Sequence, residues 1–254
     1  MSAKINNHFG RTAAKYTASE SHARGADLTT LLERLPLCQT DIVVDIATGT
    51  GHTALAVAPC VARVVGVDSV SAMIREARIL ARDRGIANVT WVRSDAASTG
   101  LASASFDVVT CRRAAHHFAD VTAFLAESRR LLRRGGTLGI VDQIPPENGA
   151  AAELTEGMEK LHDPSHGCAL SASEWARIVE AAEFETRFSH VIEDRVSLEQ
   201  FVSTARDPAV ARSQVDRQLD RATSSVLNDI GFVVCENRVR SFIKRRLVLV
   251  ARRR

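Results

Sequence analysis

Residues 42–51 read Ile-Val-Val-Asp-Ile-Ala-Thr-Gly-Thr-Gly and constrain the fold more than any other stretch of the chain. The β-branched run Ile42, Val43, Val44 and Ile46 suits a buried strand, interrupted once by Asp45. Gly49 and Gly51 follow, where a tight turn needs left-handed backbone and a ligand needs close approach. A helical pattern then starts at His52, which turns unpaired N–H groups toward the same crevice. Strand, glycine turn and helix together predict a nucleotide-type site.

The pattern repeats from Asp41 to about Asp142. Strands are expected at Ile42–Ile46, Arg63–Val67, Val89–Arg93, Phe106–Cys111 and Thr137–Val141, and helices at His52–Ala58, Ser71–Arg84 and Asp120–Leu132. Short, nearly all-apolar strands between helices indicate a parallel sheet covered on both faces. Asp68-Ser69 and Asp120 read as helix N-caps, and Gly85 and Gly135-Gly136 as helix ends. Residues 1–40 read as a helical cover. The stretch 144–167 holds Pro145-Pro146 and Asp163-Pro164 and starts as a loop. Helix resumes over Ser171–Phe184, strands return at Phe188–Ile192 and Lys244–Ala251, and 198–231 is mostly helical. The expected organisation is one domain over 1–254: a cover at 1–40, a cofactor-binding core at 41–142, and lid insertions at 143–170 and 198–236.

The 254 residues allow a sizeable core, and 33 basic against 30 acidic residues leave a net charge of only +3. That balance argues against nucleic acid as a partner. No apolar run reaches a membrane span and the N-terminus lacks a signal-peptide core, so no membrane partner is expected. Five scattered cysteines suit reduced thiols and a cytoplasmic location, with no metal site. Cys111 and Trp175 fall in apolar patterns and read as core. His162 and His166 have metal-pair spacing, but Pro164 between them argues against one helical face, and a loop-anchoring role is the expectation.

Two ligands compete for the glycine turn. Gly49-x-Gly51-x-x-Ala54 formally satisfies a dinucleotide fingerprint. Asp45 before the glycines would repel a diphosphate yet suits the cationic amino end of S-adenosylmethionine. Asp68, about twenty residues beyond the turn, suits ribose hydroxyls. Asp95, at the end of the third strand, can accept from an adenine amino group.

The ordered segments Val44–Gly51, Val67-Asp68, Ser94-Asp95-Ala96, Ser105–Val109 and Leu131–Gly136 resemble class I S-adenosylmethionine-dependent methyltransferases, in the branch with the ubiquinone/menaquinone-biosynthesis C-methyltransferases. Thr110–Phe118 and Asp163–His166, followed by Ser173-Glu174-Trp175, are similar to one bacterial subgroup of that branch. The resemblance implies an α/β Rossmann-like sheet of seven strands in order 3-2-1-4-5-7-6, the last antiparallel, with helices on both faces. It implies that Asp45, Gly49 and Gly51 hold the methionine end, Asp68 the ribose, and Asp95 with Ala96 the adenine. Ser69 and Met73 complete the cofactor set, and Arg112 lies beside the methyl donor. Ala47 stands where the common pattern has a first glycine.

Methyl transfer to carbon, oxygen or nitrogen usually needs a base, and His116 or His117 at the end of the fourth strand are the candidates. Tyr16, the chain's only tyrosine, lies in the helical cover and is a candidate contact to substrate or cofactor. The implied activity is methylation of a small molecule, with a homodimer allowed. The alternatives are a non-catalytic cofactor-binding protein on the same fold and, behind it, an NAD-dependent oxidoreductase.

Overall fold

The computed structural model describes residues 9–10, 12–14, 16–203, 205, 207–235 and 238–254. Strands β1 (Ile42–Ile46), β2 (Arg63–Asp68), β3 (Val89–Arg93), β4 (Phe106–Arg112) and β5 (Leu132–Ile144) pair in parallel in the order β3-β2-β1-β4-β5. The long strands β6 (Phe184–Ser197) and β8 (Arg238–Arg253) follow, with β8 antiparallel between β5 and β6. The order is therefore the expected 3-2-1-4-5-7-6, with β8 as the seventh main strand. A three-residue strand, β7 (Val233–Cys235), adds to β8 off this path.

Alternation along each strand divides the interior into two cores, because successive side chains leave opposite faces of the sheet. Val44, Ile46, Val65 and Val67 pack with Phe124, Leu125 and Trp175 on one face. Val43, Val64, Val108 and Val250 pack with Leu31, Leu35 and Val57 on the other. Cys111 and Trp175 are buried in the first core, as their patterns predict.

The helices before and between the parallel strands are α1 (Glu20–Arg24), α2 (Ala26–Arg34), α3 (His52–Val57), α4 (Ser71–Asp83) and α5 (Val121–Leu131). Asp120 caps α5 as expected, its carboxylate accepting from the Ala123 N–H at 3.0 Å. Asp68 does not cap α4. Val70 is the N-cap residue, and Asp68 reaches its N–H from the end of β2. Gly135-Gly136 do not end α5 either, because that helix stops at Leu131 and both glycines lie within β5.

The stretch expected to begin as a loop carries a full helix, α6 (Gly149–His162), set between the Pro145-Pro146 and Asp163-Pro164 pairs and capped by Asn148. Helix α7 (Ala172–Ala181) starts at a capping box formed by Ser171 and Glu174. Helices α8 (Leu198–Ser203), α9 (Pro208–Leu219) and α10 (Ser224–Ile230) join α6 in a third core around Met158, Phe201, Val215, Ile230 and Phe242. This unit rides on an outward extension of the β6–β8 ladder. Pairing of β8 with β5 ends at Ile144–Arg245, whereas pairing with β6 runs on to Ser197–Ser241. Among the described residues, no helix is long and apolar enough to cross a membrane.

Candidate cofactor and active site

The sheet order reverses between β1 and β4, where neighbouring strands leave their carboxyl ends uncovered. This is the place an open parallel sheet binds ligands. A cavity of about 490 Å³ opens there. Eleven residues singled out from the sequence line it: Tyr16, Asp45, Ala47, Gly49, Asp68, Ser69, Met73, Asp95, Ala96, Arg112 and His117. Gly51 and His116 do not.

Each acid at the strand ends is held by a specific set of donors. Asp45 is 1% exposed, and its carboxylate accepts from the hydroxyls of Thr48 at 2.6 Å and Thr110 at 2.7 Å. Burial pushes its carboxyl up to about 6, and the two threonine bonds oppose that rise. Asp68 accepts from the N–H of Gly49 and of Val70, both at 2.8 Å, while burial raises its carboxyl above the usual range. Asp95 accepts from the Ala97 N–H at 3.0 Å.

Three amides of the glycine turn are engaged within the fold. Thr48 donates its N–H to Val67, Gly49 to the Asp68 carboxylate, and Gly51 to Thr48. Asp45 and Asp68 both flank the turn, and their charge disfavours a pyrophosphate there. The two glycines also serve different ends. At Gly49 (φ 54°) an added Cβ would meet nothing within 4 Å, so this is the open side of the turn. At Gly51 (φ 87°) a Cβ would stand 2.6 Å from the Trp91 indole, so the missing side chain accommodates core packing and not ligand. Ala47 takes a left-handed φ of 54°, which carries strain in a residue with a Cβ.

Arg112 lines the cavity but is committed elsewhere. Its Nε donates to Asp27 at 3.0 Å, and its Nη atoms donate to the carbonyls of His22 and Ser21. Arg113 forks onto the same carboxylate, with both donors at 2.8 Å. Burial pushes the Asp27 carboxyl up, but the two guanidiniums outweigh it and hold the group at about 2. Both arginines thus latch the N-terminal cover to the end of β4, and no spacing in the sequence pointed to Asp27.

The histidine pair splits. His116 turns to β5, where its Nδ1 lies 2.6 Å from an Asp142 oxygen and its N–H donates to the other at 2.8 Å. Burial opposes a charge there, yet Asp142 raises the imidazole above its ordinary value. His117 borders the cavity. Its Nδ1 is 3.0 Å from the Ser165 carbonyl, which only accepts, so that nitrogen carries the hydrogen and Nε2 keeps its lone pair. Burial, with neighbouring His116, pushes His117 down to about 4.

Rings cover the cavity. Phe9 stands edge-on to His117 at 5.1 Å and tilted to Tyr16 at 5.5 Å, and Tyr16 stands edge-on to His22 at 5.0 Å. Burial, then the charge of Asp163, raises the Tyr16 phenol. Among the described residues of the two insertions expected to act as lids, 164–167 are the ones that line the cavity; those of the second insertion help to build the separate helical unit. His166 anchors that loop through Glu156 at 3.0 Å and Gln143 at 3.0 Å, whereas His162 stacks on Phe201 away from the site.

The profile of the family described as Methyltransferase domain matches residues 44–140, the span from β1 to β5. The Bacillus subtilis (strain 168) protein named Uncharacterized methyltransferase YcgJ is 30% identical over 229 residues, covering 90% of each chain. This chain belongs to the class I methyltransferase family. The crystal structure of YcgJ superposes on this methyltransferase with a TM-score of 0.85 at 28% identity, covering 90% of this chain and 98% of that one. A Deinococcus radiodurans demethylmenaquinone methyltransferase is 39% identical over 110 residues, 42% of this methyltransferase and 45% of that protein. The fold alone extends to geranyl diphosphate C-methyltransferase from Streptomyces coelicolor A3(2), crystallised with S-adenosyl-L-homocysteine. That match has a TM-score of 0.64 at 15% identity over 95% of this chain and 83% of that one.

Proposed function

We propose that this methyltransferase moves the methyl group of S-adenosyl-L-methionine to a small-molecule acceptor. The observation that carries the reading is the gathering of Asp45, Asp68 and Asp95, from three strand ends, around one cavity beside a glycine turn whose Gly49 N–H is held by the Asp68 carboxylate. Asp45 supplies negative charge for the amino end of the cofactor, and the open face of Gly49 admits its backbone-like methionine part. Asp68 accepts from ribose hydroxyls, and Asp95 with Ala96 and Met73 receives the adenine.

When bound, the cofactor supplies an electrophilic methyl carbon on a sulfonium. The chain's own share is to orient the acceptor, exclude water with the Phe9–Tyr16 cover, and take a proton. His117 is the base in this reading, because its Nε2 lone pair is available and its ring borders the cavity. The cytoplasm, where thiols stay reduced, is the fitting compartment.

Thermal unfolding tests the cofactor half. S-adenosylhomocysteine at about 100 times its Kd adds about 2.7 kcal/mol and raises Tm by several degrees, whereas NADH leaves Tm unchanged. A rise with NADH alone overturns the reading. Formation of S-adenosylhomocysteine on adding a low-molecular-weight cell extract tests the acceptor half. Turnover that requires the macromolecular fraction instead contradicts a small-molecule acceptor.

A further inference from the structure

The loop between α6 and α7 approaches His117 from both of its ring nitrogens. The Ser165 carbonyl meets Nδ1 at 3.0 Å, and the Asp163 carboxylate lies 3.8 Å from Nε2 through Oδ2. The loop is built to hold that carboxylate still. Asp163 Oδ1 accepts from the Ser165 N–H at 2.8 Å and from its hydroxyl at 2.6 Å, closing a local turn. The N–H groups of Gly167 and Cys168 bond to the His116 carbonyl at 3.0 and 3.2 Å. A Cβ on Gly167 would stand 2.9 Å from that same oxygen, so only glycine lets the loop dock so closely. One carboxylate oxygen thus fixes the turn while the other is presented to the imidazole. Both side chains are largely withdrawn from water, at 10% and 14% exposure, where a charge pair is weakly screened.

We infer that Asp163 is a positioning residue for His117: it stabilises the imidazolium formed when Nε2 takes a proton from the acceptor. The inference rests on His117 being the base, as proposed above. In the step, the acceptor atom forms a bond to the methyl carbon, and the carbon–sulfur bond breaks with its electron pair passing to sulfur. The acceptor's proton moves to Nε2, so the sulfonium charge reappears on His117 beside Asp163. The other ionisable groups around His117 are placed differently. His116 is occupied by Asp142, His166 stacks on His116 and is held by Glu156, and Tyr16 approaches from the N-terminal cover. Among the described residues, Asp163 is the carboxylate that comes within 4.0 Å of a His117 ring nitrogen.

The test uses the full chain with labelled histidine, the His117 ring signal being assigned from a His117→Gln variant. At pH 4, about half of His117 is expected to carry a proton in the wild type, given its value of about 4. Asp163→Asn keeps an oxygen for the turn but loses the charge, and about one tenth is expected to be protonated, a shift of about one unit. Asp163→Glu restores most of the wild-type fraction. In the extract assay, Asp163→Asn lowers kcat about tenfold and leaves KM for S-adenosylmethionine unchanged. An unshifted His117 titration in Asp163→Asn overturns the inference and leaves Asp163 as a turn residue. Asp163→Ser, which keeps a hydroxyl for the turn, repeats the measurement should the Asn variant fail to fold. The titration needs neither cofactor nor acceptor. Absence of S-adenosylhomocysteine binding by the wild type would therefore sink the proposed function separately.

Discussion

Ala47 holds a left-handed backbone that its Cβ opposes, at the turn where the cofactor's methionine end is proposed to lie. Such a residue costs about 1 kcal/mol or more relative to an unstrained one. Glycine removes that strain but adds back about 0.5–1 kcal/mol of unfolded-chain entropy. Ala47→Gly is therefore expected to match or exceed wild-type stability by up to about 1 kcal/mol, and Ala47→Val to lose about 2 kcal/mol, both read from denaturant midpoints. The pH behaviour of the cavity is set two residues earlier. Asp45, at about 6, lies above its unfolded value, so its neutral form favours the empty fold below about pH 4 and that contribution fades as pH rises through 6. The ammonium of the ligand's amino end needs the ionised form. Affinity for S-adenosylhomocysteine is expected to rise up to about tenfold between pH 5 and pH 7 in the wild type, and to stay flat in Asp45→Asn, by calorimetry. The three acids were legible because strand ends in a parallel sheet converge on one edge. Their partners were not: Thr110 lies 65 residues from Asp45 and Asp27 lies 85 from Arg112. No local spacing encodes such meetings.

Elements fix how the cover and the helical unit relate to the site. Helix α2 delivers Asp27 to both arginines at the end of β4, an almost fully buried arrangement with side-chain exposures of 2% for Asp27 and 3% for Arg112. Removing the carboxylate strands a buried guanidinium, and Asp27→Asn is expected to cost about 3–5 kcal/mol in equilibrium unfolding. The carboxyl sits at about 2, below its unfolded value, so this contribution is complete above about pH 4 and is lost as pH falls toward 2. Acid unfolding of the wild type should steepen across that window, and the Asn variant should lack the step. The unit formed by α6 and α8–α10 has its own core, in which Phe242 meets Phe201 edge-on at 5.1 Å. Phe242→Ala is expected to cost about 3–5 kcal/mol and to speed hydrogen exchange in α8–α10 while β1 and β4 stay protected. Binding of S-adenosylhomocysteine should not change, since this unit lies off the cavity. Strand periodicity and Asp120 were readable ahead of the structure. Helix α6 was hidden by the prolines that bracket it, and the reach of β6 and β8 by the charged runs Glu193-Asp194-Arg195 and Lys244-Arg245-Arg246 that interrupt their apolar pattern.

At the scale of the whole molecule, a parallel sheet covered on both faces gathers its ligand-facing loops at the carboxyl ends of its strands, where the described cavity opens. Alternation of strands and helices indicated a parallel sheet covered on both faces, while the strand order came from the resemblance to class I methyltransferases and the sheet has that order. Which of two adjacent histidines faces inward could not be read from the sequence, since that depends on Asp142 and Ser165 reaching them from other parts of the fold. The central claim is that Asp68 and its neighbours bind an adenosine-bearing sulfonium cofactor, while His117 acts on the acceptor. Isothermal titration of S-adenosylhomocysteine into the wild type, Asp68→Ala and His117→Ala tests it most directly. The expected result is one site per chain, weakened at least tenfold, about 1.4 kcal/mol, by Asp68→Ala and changed less than twofold by His117→Ala. No heat with the wild type at millimolar ligand, or a larger loss from His117→Ala than from Asp68→Ala, would contradict it.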